Sequence, residues 1–404
     1  MTTLSAEAPP AANVDAAPLA AAPRVESVDV LRGIVMVIMA LDHVRDFVGP
    51  GVPGHGIDVE KLGAPLFLTR WITHFCAPVF VLLAGTGAYL QSARGKGRGE
   101  LSRFLLTRGL WLVLLELTVV RFGWTFDPGY HMTPLQVIWA IGWSMVVLAG
   151  LVHLPVRAVG AIGIAIIALH NLLDGVTPER FGALAPLWSI LHVPSPLGLG
   201  PGRMAWVAYP LVPWIGVMAA GYALGAFLGA DPAERKKRLF ALGGALTLAF
   251  IALRAVNLYG DPEPWSHQSS ALYTALSFLS CTKYPPSLLY LLMTIGPALV
   301  ALGALEGRDF PGKRTMLLFG RVPLFYYLLH LPFAHAMGSL LYLAWYGPGA
   351  LSWDTGPAAN PPAPFGLPVV YAVTLLLVLL LYPLCRWFGD LKRRRRDLGW
   401  LSYL

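Results

Sequence analysis

The sequence predicts an all-α, polytopic integral membrane protein of about ten transmembrane helices, with both termini cytoplasmic. Of its 404 residues, 56% are hydrophobic and only 13% charged, about half the charged share of a soluble domain. Mean hydropathy is +0.61, and the apolar residues come in repeated runs long enough to cross a core of about 30 Å as helices. Barrel strands would instead show about ten residues of alternating polarity. The basic residues gather in short clusters between these runs. The net charge of +8 therefore marks topology and anionic lipid, and no nucleic-acid partner is implied.

Residues 1–23, rich in Ala and Pro, lack a charged segment followed by an apolar one. They read as a disordered cytoplasmic tail ahead of a transmembrane domain over 24–390, with a basic cytoplasmic tail over 391–404. The first span covers 28–48, and a Gly/Pro-rich outer loop leads to the second, 66–91, which Pro78 should bend near His74. Spans follow at 104–122, 134–152 and 158–172. The long, weakly charged outer segment 173–203 has the composition of an interfacial or re-entrant stretch. The later spans are 204–228, 239–256, 284–305, one beginning near Met316, and a last one ending near Trp387. Basic clusters at 94–103, 157, 235–238, 308–314 and 386–396 fall on one side of this arrangement, the cytoplasmic side. The three cysteines, Cys76, Cys281 and Cys385, have no metal-ligand spacing and read as buried free thiols, so no metal is expected.

The first span, SVDVLRGIVMVIMALDHVRDF, carries ionisable groups at both ends. Such charges beside hydrocarbon either anchor helix ends or mark a pathway or reaction site. His43 and His74 lie toward the outer face at one depth on consecutive helices, where imidazoles suit proton transfer. Asp46, three residues beyond His43, can share its face, and Asp42 lies one turn before Asp46. At the inner end Arg32 suits a phosphate, with Asp29 three residues before it. An internal Asp29/Arg32 pair is the plain alternative. His330 sits deep in LFYYLLHLPFAH and should face other helices or a cavity. Asn257, Asp261, Glu263, His267 and Lys283 suit a polar acceptor or a solvated loop equally, whereas Glu116 and Arg254 read as structural pairs. No soluble-enzyme signature, nucleotide loop or zinc-protease motif occurs.

The combination SVDVLRGIVMVIM, THFCAPVFVLLAG and GRVPLFYYLLH resembles the catalytic domain of the heparan-α-glucosaminide N-acetyltransferase family, within a wider superfamily of transmembrane acyltransferases. The likeness extends over all ten predicted helices. Asp29, Arg32 and Gly33 match its opening motif, Pro78 and Gly85 its second, and Gly320, Tyr327 and His330 a late one. The resemblance implies an acyl-CoA donor, acetyl-CoA or another, entering from the cytosol, and a sugar or glycan acceptor outside. It also implies the lipid bilayer as environment, a bacterial cytoplasmic (inner) membrane location, and leaves a homodimer open. His43 stands where the lysosomal enzyme has Asn and is similar to the helix-1 histidine of O-antigen and peptidoglycan acyltransferases. His74 stands where that enzyme has Asp, and His55 is the one histidine offered in the first outer loop. The base is thus His43, His74 or His55, in that order.

The expected function is transfer of an acyl group, acetyl first, to an extracytoplasmic amine or hydroxyl. His43 would be the base, assisted by Asp46 or Asp42, with His74, His330, Tyr327 and His55 lining the site and Arg32 on the CoA phosphate. The alternative is a proton-coupled transporter of a small organic ion, with the histidines as its relay.

Overall fold

The computed structural model describes residues 25–52, 56–229, 231–348, 365–395 and 397–403. The expected tail 1–23 and His55 lie outside them. The chain begins with α1 (Glu26–Val48), followed by a short α2 (Val59–Leu62), α3 (Ala64–Thr73) and α4 (Cys76–Ser92). Next, α5 (Arg98–Leu115) runs through a π-helical turn, Glu116–Val120, into α6 (Arg121–Thr125). Then come β1 (Met132–Leu135), α7 (Val137–Leu151), α8 (Val156–Leu169), α9 (Ala185–Leu191), β2 (Ser195–Gly198) and β3 (Met204–Val207). The rest is helical: α10 (Leu211–Phe227), α11 (Pro232–Val256), α12 (Ala271–Leu279), α13 (Leu288–Leu305), α14 (Lys313–Arg321), α15 (Pro323–Tyr346) and α16 (Leu367–Arg394), closed by a short 3-10 turn.

Among the described residues, six helical stretches are long and apolar enough to cross a membrane: Ala64–Ser92, Val156–Leu173, Pro232–Val256, Leu288–Leu305, Pro323–Tyr346 and Leu367–Arg394. Two more, α7 and α10, are apolar but shorter. The outer helices turn bare aliphatic side chains away from the protein, among them Ile164, Leu248, Leu375 and Leu379. A soluble protein would not leave such a belt uncovered. The protein is an all-α polytopic membrane protein.

Prolines set the breaks. Pro78 has no N–H to give the carbonyl four residues back, and the helix parts there, α3 ending at Thr73 and α4 starting at Cys76. The freed His74 carbonyl instead accepts from Tyr290 Oη at 2.7 Å. The helix expected from Met316 is also divided: Val322 leaves the helical region (φ −127°, ψ 46°) ahead of Pro323. Two expected helix starts are strands. Residues 132–135 and 204–207 pair in parallel, and 195–198 adds antiparallel to the same central strand β3. Pro134 and Pro196 lie in the two edge strands, where a missing donor is tolerated.

The packing centres on α1, which touches α14, α15 and α16 as well as α3, α4 and α13. Around it α10 packs on α4, α7 and α8, α5 on α7, and α11 on α13. The crossings are made by facing glycines, because only a residue without Cβ lets helix backbones touch. A Cβ on Gly33 would meet the Met316 carbonyl oxygen at 1.8 Å, and one on Gly320 the Asp29 carbonyl oxygen at 1.8 Å. Gly109 and Gly142 oppose each other in the same way between α5 and α7, as do Gly243 and Gly296 between α11 and α13.

Gly33→Ala and Gly320→Ala are therefore each expected to lower the melting temperature in detergent and the yield of monodisperse protein. Gly87→Ala, in α4 with nothing within 4 Å, should hold or slightly raise both, since Ala suits a helix by about 0.5–1 kcal/mol over Gly. Equal behaviour of the three variants would show that the α1–α14 contact is not needed for stability.

Candidate active site

The last two turns of α1 read Leu-Asp-His-Val-Arg-Asp-Phe and present two faces. On one, Asp42 bonds Arg45 Nη2 at 2.8 Å and accepts from Thr73 Oγ1 at 2.7 Å, with Lys283 Nζ at 3.5 Å. Arg45 also holds Asp46 at 2.7 Å. Asp42, Arg45, Lys283, Arg70 and His74 are all buried. Such a cluster is stable only while its charges stay paired.

Lys283 reaches Asp42 because the preceding segment is folded, not solvated. Buried Asp261 accepts from Thr282 N and Oγ1 and from Ser287 Oγ, at 2.9, 3.0 and 2.6 Å. Arg254 donates to the carbonyls of Glu263, Ser277, Phe278 and Ser280. These bonds tie the end of α11 to the segment 263–280. Beside this segment lies an open cleft of about 520 Å³, lined by Asp58, Glu60, Arg254, Glu263, His267 and Gln268 among others.

On the other face, His43 Nδ1 stands 2.6 Å from His330 Nε2. His330 Nδ1 lies 2.7 Å from the Tyr327 carbonyl, an acceptor only, so that nitrogen carries the proton. His330 Nε2 is then a lone pair, His43 Nδ1 is the donor, and the neutral His43 keeps its lone pair at Nε2. Among the described residues His43 Nε2 has no hydrogen-bond partner. One nitrogen is thus left to accept a proton, with its tautomer set from behind.

Aromatic rings enclose this pair. Trp124 meets His43 edge-on at 5.0 Å, and Tyr327 lies 6.4 Å away. Farther out, Phe47 and Phe126 stack on His335, at 4.5 and 4.0 Å. The segment after α6 is held by Arg121, which donates to Asp127 Oδ2 at 2.8 Å, to the Asp127 carbonyl, and to the Met132 carbonyl at 3.1 Å. Glu116, in the π turn, accepts from the backbone N–H of Gln136 and Trp139 and so caps α7.

The predicted residues are thus partly regrouped. His43 is met by His330, not by His74, and Asp46 and Asp42 serve Arg45 instead of the imidazole, because a guanidinium competes better for a carboxylate than a neutral ring does. His74 lies with the ionic cluster, its ring 5.3 Å from Tyr290 and both ring nitrogens buried without a partner among the described residues. At the other end of α1, Arg32 Nη1 donates to Asp29 Oδ1 and to the Gly320 carbonyl, both at 3.1 Å. Arg321, which sequence reasoning passed over, stands 3.9 Å from Asp29 with its side chain 49% exposed. Trp124, Arg70 and Tyr290 were missed as well. An aromatic or a basic residue beside an apolar run carries no mark of its neighbours.

The family model described as heparan-alpha-glucosaminide N-acetyltransferase, catalytic, matches residues 24–259, more than half of the chain. No curated protein matches. The matched region holds α1, α3 and α4, with Asp29, Arg32, Asp42, His43 and His74. It ends before α14 and α15, so Gly320, Tyr327 and His330, read above as a late family motif, lie beyond it, and His330 enters the site through its contact with His43. On the extent of that match, the chain belongs to the heparan-α-glucosaminide N-acetyltransferase catalytic-domain family.

Proposed function

We propose that the protein transfers an acyl group, acetyl first, from acyl-CoA reached from the cytoplasm to an amine or hydroxyl of an extracytoplasmic sugar, with His43 as general base. The observation that carries this reading is the buried His43–His330 pair, which leaves one basic nitrogen of defined tautomer at the end of α1. In the reaction the acceptor nitrogen or oxygen attacks the thioester carbonyl and its proton passes to His43 Nε2. The C–S bond then breaks, and the CoA thiolate leaves with that proton. His330 positions His43 and shares the positive charge while the proton is held. Among the described residues His74 and Arg45 Nε and Nη1 are buried donors without partners, a state that costs about 1–3 kcal/mol per group unless a ligand satisfies it. They suit polar groups of the acceptor. Asp42 holds Arg45 in place and takes no proton itself.

The donor end rests on Arg32 and Arg321 beside Asp29. With the ten-span arrangement, this end of α1 faces the cytoplasm and suits CoA phosphates. The cleft between residues 57–60 and 254–280 suits a sugar, having carboxylate, amide and hydroxyl side chains together.

His43→Ala in protein of unchanged size-exclusion profile should lower acetyl-CoA-dependent transfer by about 100-fold or more. Full turnover in that variant would remove His43 from the reaction. His330→Phe, which takes away the acceptor for His43 Nδ1, is expected to lower kcat and to alter the pH profile while leaving KM for acetyl-CoA near wild type.

Arg321→Ala should raise KM for acetyl-CoA with little change in kcat, as loss of binding common to ground and transition states does. Acetyl-CoA should also raise the melting temperature of wild type more than of this variant. If no CoA species stabilises the folded protein while small organic ions do, a transporter becomes the better account.

A further inference from the structure

Away from the site described, three side chains converge beyond the end of α8. His170, Asp174 and His192 each bring one ligand atom within 4.8 Å of the other two. The first two lie one turn apart, and His192 is brought in by the end of α9. His170 is 2% exposed, and among the described residues neither ring nitrogen makes a hydrogen bond of ordinary geometry, the Pro286 carbonyl lying beside the ring. A buried imidazole with no partner is costly, about 1–3 kcal/mol for a donor alone.

The surroundings are those of a metal ligand set. His192 is 1% exposed, and its Nε2–H donates to the His170 carbonyl at 3.0 Å. That leaves Nδ1 as the lone pair, and a metal-bound histidine ordinarily spends its other N–H in this way. Asp174 Oδ2 accepts from Asn171 Nδ2 at 2.8 Å, while Asn171 Oδ1 accepts from Leu288 N at 2.8 Å. The carboxylate is thus oriented by an amide that is itself fixed to the start of α13, with Oδ1 left over. Trp188 stacks on His192 at 5.3 Å and shields one side.

We infer that His170, Asp174 and His192 bind one divalent transition-metal ion, with zinc as the best match to two imidazoles and a carboxylate. Tetrahedral ligand atoms about 2.0–2.2 Å from zinc stand about 3.4 Å apart, so the three groups close inward by about 1 Å on binding. Three protein ligands leave a fourth position for water. Through Asn171 and Leu288 the ion braces the start of α13, which carries Tyr290.

The test uses the full chain in detergent, without a histidine tag and stripped with EDTA, titrated with Zn²⁺ alone. Wild type should take up one equivalent and gain in melting temperature. Asp174→Asn, which keeps shape and size, and His192→Gln should each bind at least tenfold more weakly with unchanged melting temperature in EDTA. Asn171→Ala should weaken binding by about 10- to 100-fold, as loss of a residue supporting a ligand does. Co²⁺ should give visible ligand-field bands with wild type that His192→Gln lacks. Wild type that takes up no zinc, or that binds it no better than both ligand variants, overturns the assignment.

Discussion

The register of α1 against α14 and α15 is the constraint on which the site depends. Gly33 faces Gly320 and His43 meets His330, and both pairs are 287 positions apart. The two contacts lie ten residues apart on each strand of helix, about 15 Å. The helices therefore run parallel and stay in step despite the break at Val322. A slip of one residue would move His43 by about 1.5 Å and turn it by about 100°, enough to lose a 2.6 Å contact. The glycine pair is thus a positioning device as well as a packing one: with no side chain between the backbones, α1 has one depth at which it can seat.

The opposite face of α1 is held by charge. Asp42 is shared by Arg45, Lys283 and Thr73, and Lys283 is aimed by a turn that Asp261 ties together. Removing one member of such a buried set costs about 3–5 kcal/mol, because it strands the others in a medium that solvates them poorly. The packing of α1 against α14 and α15 sets its depth and the ionic cluster sets its rotation, and both bear on where His43 points.

How far this was legible follows from what each residue says locally. The break beside His74 was readable because Pro78 acts through its own missing donor. His43 and His330 stood out as imidazoles in apolar helices, yet their contact spans most of the chain and leaves no mark in spacing. Asp46 was placed beside His43 by helical periodicity alone, whereas Arg45, the adjacent residue, takes it at 2.7 Å. The two edge strands were hidden by Pro134 and Pro196, which argue against a central strand and say nothing against an edge. His170 and Asp174 have the one-turn spacing of paired ligands, but His192 joins them only through the fold of the segment between.

A paired histidine suits this place for an electrostatic reason. A carboxylate behind His43 would bring a permanent charge into an apolar interior, and such a charge needs a counter-ion nearby. The carboxylates close by already have theirs: Asp42 and Asp46 are both neutralised by Arg45, and Asp42 by Lys283 as well. His330 supplies direction with no charge at all, since one lone pair accepts from His43 and the other nitrogen donates to the Tyr327 carbonyl. The resting pair is neutral and carries charge only while a proton is held, on a short N···N contact that both rings can share. That arrangement lets the two imidazoles sit among Trp124 and Tyr327 without a standing electrostatic cost. It also ties the tautomer of His43 to the helix carrying His330, so that movement of α15 relative to α1 would change which nitrogen of His43 holds the lone pair.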